Sequence, residues 1–388
     1  MTKVSLSSVE KKALIEWRRD FHKHPELAYQ EERTSEVVAR KLSEFGYPIQ
    51  KKIAGTGVMG LLKGEEGGKT LLVRADMDAL PVREENDVPY KSKNEGVMHA
   101  CGHDGHTSML LMTAKKMIEK KDLKGTLKFV FQPAEEGGNG AHRMIEEGVL
   151  ENPKVDAALG LHLWNNLPVG KVAVTPGPIL AAVDEFELKI IGKGGHGAMP
   201  ETTIDPIVTA GQVITALQTL VSRNVSPLDA AVVTIGAIQG GTAFNVIANE
   251  VVMKGTVRTY SLKIRDEMPK RLEEIVEGVS SAMGASYKLD YRQVCLPTIN
   301  DPRMTALARE AVVEVVGEEN VLEGERTMGG EDFSFFLNQV PGCFIFVGSA
   351  NDSKGLNYSH HSSRFNFDEE ALSIGVEILM RGIERYLE

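Results

Sequence analysis

The sequence predicts an α/β fold, a mostly parallel sheet domain with a smaller α+β domain of ferredoxin-like order inserted into it. Three observations predict it. At 388 residues the chain exceeds one typical core and asks for about two domains. Apolar strand-like runs alternate with amphipathic helical stretches up to Leu163, which marks helices packed on a largely parallel sheet. Near residue 182 the order becomes strand, helix, strand, strand, helix, strand, and the first pattern returns from residue 301. The boundaries expected are 1–181 with 295–388 for the larger domain and 182–294 for the insert.

The elements follow in order. In "SSVEKKALIEWRRDF", Ser7 and Glu10 form a capping-box pattern, and Leu14, Trp17 and Phe21 recur at helical spacing. Pro25 ends that helix. "TSEVVARKLSEF" is a second helix stopped by Gly46. Strands are expected at 58–63 and 70–77, a helix at "SMLLMTAKKMIEKK", a strand at 126–132, a short helix at "AHRMIEEG", and a strand "DAALGLHL" ending at Leu163. The insert reads as strand "VDEFELKIIG", helix "DPIVTAGQVITALQTLVS", strands "AAVVTIGAI" and "VIANEVVMKGTVRTY", helix "RDEMPKRLEEIVEGVSSAM" and strand "YKLDYR". "FIFVG" is another sheet strand and "DEEALSIGVEILMRGIERYL" a closing helix.

The composition, 42% hydrophobic and 25% charged, is that of a globular protein. A net charge of −10, with basic residues clustered only in pairs such as Lys51–Lys52 and Lys120–Lys121, argues against nucleic-acid binding. No run approaches the roughly 20 apolar residues that span a bilayer, and the N-terminal stretch lacks the apolar core of a signal peptide. Cys101, Cys295 and Cys343 are odd in number and far apart, which favours a reducing compartment; the cytoplasm is the expected location.

In parallel α/β sheets chemistry gathers at the loops leaving the strand ends. "VMHACGHDGHTS" places three of the ten histidines beside Cys101 in such a loop. If "HACGH" is extended, His99, Cys101 and His103 project to one side. Thiolate and imidazole suit zinc and its neighbours, but three donors at this spacing match no common structural zinc site. Further donors must come from other loops: Glu135 and Glu136 in "AEE", His162 in "GLHL", and His360 and His361 in "NYSHHSSRF". Singly, each has a plain structural reading, as a helix-start acid, a core histidine or a turn. Together they exceed the needs of one tetrahedral ion and would suit two, an arrangement that recurs in hydrolysis.

At this point the sequence resembles the M20 metallopeptidase family, in its amidohydrolase branch of aminoacylases, hippurate hydrolases, auxin-conjugate hydrolases and some carboxypeptidases. The motifs that carry the resemblance are "RRDFHKHPELAYQEERTS", "RADMDALP", "HACGHDGHTSMLL", "FQPAEEGGNGA", "GLHLWN", "GKGGHGAMP", "GGTAFNVIAN", "GTVRTY", "MGGEDFSFF" and "HHSSRFNFDEEAL". The resemblance implies a catalytic domain with an inserted lid and dimerisation domain. It implies two divalent ions (Zn, Mn, Co or Ni) on Cys101, His103, Glu136, His162 and His361, with Glu135 as general base. Asp76 and Asp78 stand where other branches carry His-x-Asp; Asp78 is expected behind the ligands, orienting one of them, and His99 and His106 as supporting residues. His196 in the lid is expected to reach the active site of a partner subunit, making a homodimer or higher oligomer. Arg258, Asn245 and Gly330 are expected around the substrate carboxylate, while Glu331 and Asp332 read as caps of the helix that follows. Lid movement is expected to hinge near residues 181 and 294.

The function so implied is metal-dependent hydrolysis of N-acyl-L-amino acids, Glu135 activating a water; the alternative is a carboxypeptidase or dipeptidase acting on short peptides with the same centre. Thiol catalysis by Cys101 leaves Glu135, Glu136, His162 and His361 without a role. A binding protein without activity has no need of Glu135.

Overall fold

In a computed structural model of the chain, which describes residues 6–120 and 122–388, Ser7 caps helix α1 (Ser8–Lys23) as its sequence demands. The Ser7 hydroxyl accepts the Glu10 amide at 3.3 Å, and the Glu10 carboxylate accepts the Ser7 amide at 2.8 Å. Met1–Ser5, where the N-terminal segment begins, and Lys121, at the end of the "SMLLMTAKKMIEKK" helix, lie outside the described residues. Helix α2 (Glu32–Phe45) ends at Gly46 with φ 97°.

The chain divides into two compact units. The first comprises Met1–Ile179, Ile299–Arg326 and Asp332–Glu388, the second Leu180–Thr298 with Thr327–Glu331. The first is built on an eight-stranded sheet. Its strands are β1 (Ile49–Ile53), β2 (Gly57–Lys63), β3 (Glu65–Asp76), β4 (Lys124–Gln132), β5 (Ala157–Pro168), Val172–Ala173, Val321–Leu322 and Gly342–Ala350. The spatial order is β1, β2, β4, β3, β5, Gly342–Ala350, Val172–Ala173, Val321–Leu322. The centre is parallel: β3 pairs parallel with β4 and β5, and β5 with Gly342–Ala350. β1–β2 and β2–β4 are antiparallel. β1, "IQKKI", was not among the expected strands, because only its last residue is buried and it carries no apolar alternation.

Helix α3 (His103–Met117) starts at His103 rather than at Ser108. Its apolar stretch Met109–Met112 is 0% exposed, and its polar first turn is buried too, so the pattern that marks amphipathic helices is missing there. Gly102 supplies the left-handed turn before it at φ 96°. Gly105 lets the turn approach β5, since a β-carbon there would lie 2.5 Å from Leu163. The strand expected to end at Leu163 runs on to Pro168, held by pairing with Gly342–Ala350; His162 therefore sits inside the strand, opposite Phe346.

The second unit is a four-stranded antiparallel sheet in the order Ala231–Gly240, Glu250–Thr259, Ala182–Ile191, Ser286–Cys295. With helices Pro206–Thr219 and Leu262–Ala282 this is the ferredoxin-like arrangement. Phe186, Leu188 and Ile190 alternate into a core with Val213, Leu217, Leu272 and Val276 from the two helices. "VIANEVVMKGTVRTY" is not one strand. It breaks into Val246–Ile247, which pairs with Gly195–His196, and Glu250–Thr259. The Asn249 side chain in the break accepts the Gly194 amide at 3.0 Å.

Candidate metal centre

Six of the sequence-selected side chains meet in the first unit. The donor atoms of Cys101, His103 and His162 lie within 4.8 Å of one another, and so do those of Cys101, Glu136 and His361. His103, Glu135 and Glu136 form a third such group. Cys101 belongs to the first two groups, so one sulfur faces both sets of donors; its Sγ is 3.5 Å from His162 Nε2.

Each donor is aimed by its surroundings. His103 Nδ1–H donates to the Asp78 carbonyl at 2.9 Å and His162 Nδ1–H to the Leu163 carbonyl at 2.6 Å. With Nδ1 so engaged, Nε2 of both rings is the atom left to face a metal. The Asp78 carboxylate accepts the Glu136 amide at 2.9 Å, tying the loop after β3 to the loop after β4. His361 takes φ 66° and donates its amide to the Ala100 carbonyl at 2.8 Å, which sets its ring 3.2 Å from Glu136. The acid loop is unusual: Ala134 and Asn139 both have φ 54° and Gly137 φ 78°. Left-handed Ala costs on the order of 1–2 kcal/mol, so the loop is held by its neighbours rather than by its own preference.

Electrostatics fit cations here. His103 Nε2 has no hydrogen-bond partner although the residue is only 1% exposed. Burial and the Glu136 charge push the Cys101 thiol up. His361 is pushed up to about 10, first by its hydrogen bond to Cys101 and then by Glu136. Burial pushes the His103 imidazolium down, but Asp76 and Asp78 outweigh it and the net shift is well upward. Protons thus hold the places that divalent ions would take, and the donor set (one thiolate, three imidazoles, a carboxylate) is one that such ions accept. His162, by contrast, is held neutral by burial and by His106 and His360 nearby.

Some expectations are corrected. "HACGH" is not extended, since the chain turns left-handed at Gly102, and His99 does not join the donor groups. His99 is buried with both ring nitrogens unpartnered, and burial lowers its pKa to about 4. His360 accepts the Asn165 amide at 3.2 Å and lies between Trp164 and Phe365. Asp332 does not cap the following helix. It accepts from Arg74 at 3.1 Å, Gln132 at 2.7 Å and the Ala141 amide at 3.0 Å.

Sequence reasoning missed that network. Arg74 is 2% exposed near the C-terminal end of β3, bonded also to Gln132 and Asp76, each at 2.7 Å. The other Asp76 oxygen is 2.7 Å from His106 Nδ1, and His106 Nε2 accepts the Leu163 amide at 2.9 Å, next to His162. The available signal was a lone arginine inside the apolar run "TLLVRADM", because a charge buried in a parallel strand must be paired. The remaining candidates belong to the second unit. His196 is exposed and its Nδ1 accepts the Ala198 amide at 3.0 Å; Asn245 is exposed; Arg258 is half-buried and donates to Thr256 at 3.0 Å. At Gly330 a β-carbon would lie 2.3 Å from Val183.

The sequence profile of peptidase family M20/M25/M40 matches residues 72–385. The chain belongs to the M20 peptidases. It is a hydrolase. It is 40% identical to the N-acetyl-L-cysteine deacetylase of Bacillus subtilis over 386 residues, covering 99% of this chain and 90% of that one. It is also 40% identical over 368 residues to thermostable carboxypeptidase 2 of Saccharolobus solfataricus, covering 93% and 92%. The crystal structure of the Bacillus subtilis YXEP protein, a dinuclear metal-binding peptidase of the M20 family, superposes with a TM-score of 0.85 at 36% identity, covering 98% of this chain and 99% of that one. Among the described residues no helix is long and apolar enough to cross a membrane.

Proposed function

We propose that this M20 hydrolase cleaves the amide bond of N-acyl-L-amino acids, with two divalent ions held by Cys101, His103, Glu136, His162 and His361. The convergence of those five donors, with Cys101 common to two groups and Glu135 grouped with His103 and Glu136, carries the reading. When bound, such ions supply a lowered pKa for water and a Lewis acid for the amide carbonyl. Zinc, manganese, cobalt and nickel all suit the donors.

The chain's own residues do the rest. Glu135 takes the proton from the attacking water and hands it to the departing amine nitrogen. Asp78 keeps His103 and the Glu136 loop in register through its carbonyl and its carboxylate. Arg258 pairs with the substrate carboxylate, Asn245 and the Gly330 backbone stand beside it, and His196 of one subunit serves the site of another. The first unit is the catalytic domain and the second the lid and dimerisation domain, with the expected boundaries 181/182 and 294/295 moved to 179/180 and 298/299 and Thr327–Glu331 joining the second. A homodimer is supported by apolar residues left uncovered on the second unit: Ile207 and Val208 at 46% and 50% exposure, and Ile238 at 51% on the edge strand Ala231–Gly240. Three free cysteines support a reducing, cytoplasmic location.

The carboxypeptidase reading rests on the Saccharolobus relative, which matches over 93% of this chain. Protein stripped by a chelator and reloaded with each of the four metals is to be assayed on N-acetyl and N-benzoyl amino acids and on dipeptides. A higher kcat/KM on the acyl amino acids supports deacylation and the reverse supports the peptidase. No turnover with any metal and substrate class defeats both.

A further inference from the structure

We propose that the segment Glu26–Glu31, "ELAYQE", is a positioning brace for the loop that carries Glu135 and Glu136, with Glu31 and Tyr29 as its two points of attachment. This rests on the role proposed for Glu135 and extends it to a motif that the metal chemistry leaves unused.

Glu31 is 0% exposed. It stands in the N-cap position of α2, yet its side chain makes no cap bond there. Glu26 does that work instead, accepting the Arg33 amide at 2.9 Å and the Thr34 amide at 2.8 Å. The Glu31 carboxylate is therefore committed elsewhere. One oxygen accepts the Ala134 amide at 2.8 Å and the other the Thr56 hydroxyl at 2.6 Å. Ala134 is the left-handed residue immediately before Glu135. At the far end of the same loop, the Tyr29 hydroxyl donates to the Gly138 carbonyl at 2.6 Å.

The same segment also grips the neighbouring loop. Leu27 bridges Ala79, and the Glu26 carbonyl accepts the Ala79 amide at 2.8 Å, one residue from Asp78. Asp78 in turn accepts the Glu136 amide. A six-residue stretch far from the chemistry in sequence thus fixes the entrance and the exit of the acid loop and the loop beside it. A loop with left-handed residues at positions 134, 137 and 139 needs such outside attachment to keep one conformation.

The test compares Glu31→Ala, Glu31→Gln and Tyr29→Phe in metal-loaded protein, by kcat and KM on N-acetyl-L-methionine and by amide hydrogen exchange. Gln keeps an acceptor for the Ala134 amide and places an NH2 beside the Thr56 oxygen, so it should stay within about threefold of the parent kcat. Glu31→Ala should lower kcat by about 100-fold with KM little changed, as expected for a misplaced base. Exchange in a peptide spanning 133–139 should quicken by about tenfold in Glu31→Ala and measurably in Tyr29→Phe, with β5 unaltered. Unchanged exchange at 133–139 in both variants overturns the brace, and so does a Gln variant as impaired as Ala. Should the parent protein turn over no substrate, the hydrolase reading fails and the exchange measurement still decides the brace.

Discussion

The two units of this chain set charges in different surroundings: one behind the donor cluster, the other on an outer sheet face. In the first, two arginines are buried almost completely: Arg18 reaches Asp104 at 2.8 Å and Asn366 at 2.9 Å, and Arg74 reaches Asp76, Gln132 and Asp332. In the second, the sheet face away from the helices carries its charges in water. Lys254 and Glu187 pair at 3.2 Å with side chains 68% and 44% exposed, and Lys189 pairs with Glu250 at 2.9 Å. A buried ion pair is weak evidence of net stability, but removing one partner strands the other. The first unit has therefore accepted charges it cannot easily change, and they lie directly behind the donor cluster. The second buries one such pair, Arg265 with Asp184 at 2.9 Å, but the charges on its outer sheet face are replaceable.

The largest effect expected from that contrast is at the donor cluster itself. Glu135→Gln should lower kcat by about 10³-fold with metal content unchanged, read by steady-state kinetics beside elemental analysis; activity within tenfold of the parent removes Glu135 from the role. Next comes the support behind it. Asp104 sits well below the usual carboxylate range, since Arg18 and His22 outweigh its burial. Asp104→Ala should cost about 3–5 kcal/mol in urea unfolding, as Arg18 and His22 lose the fully buried carboxylate they share and keep only Glu369 and Glu84. A third measurement follows protons. Metal-free protein near pH 7 holds a proton on Cys101, whose thiol is raised, and on His361, at about 10. Both must leave when an ion binds, so affinity should rise about tenfold per pH unit for each proton displaced, from pH 6 to 8. A competition titration with a chromophoric chelator reads this, and a flat profile contradicts it. The smallest effect belongs to the second unit: Lys254→Ala should shift stability by under about 1 kcal/mol, and less at high salt.

The same contrast explains what could be read in the sequence. Strand Ala182–Ile191 of the second unit alternates cleanly, so "VDEFELKIIG" announced its own inward and outward faces. The donors were legible because Cys, His and Glu in one rim of loops have few other reasons to gather. The start of α3 was not, because a helix whose first turn is buried on every side has no polar face to betray it. Nor was the extension of β5 past Leu163, which depends on pairing with residues nearly two hundred positions away in sequence, on the order of the longest-range contacts a sheet makes. Arg74 and His106 carried no periodic signal, since their partners are fixed only by the sheet that brings them together.

One atom gives the centre a particular vulnerability. Because the Cys101 sulfur faces both candidate donor groups, a peroxide that converts it to a sulfenic acid would change both groups in a single event. Loss would then be paired, and a reductant acting on that one side chain would restore the two together.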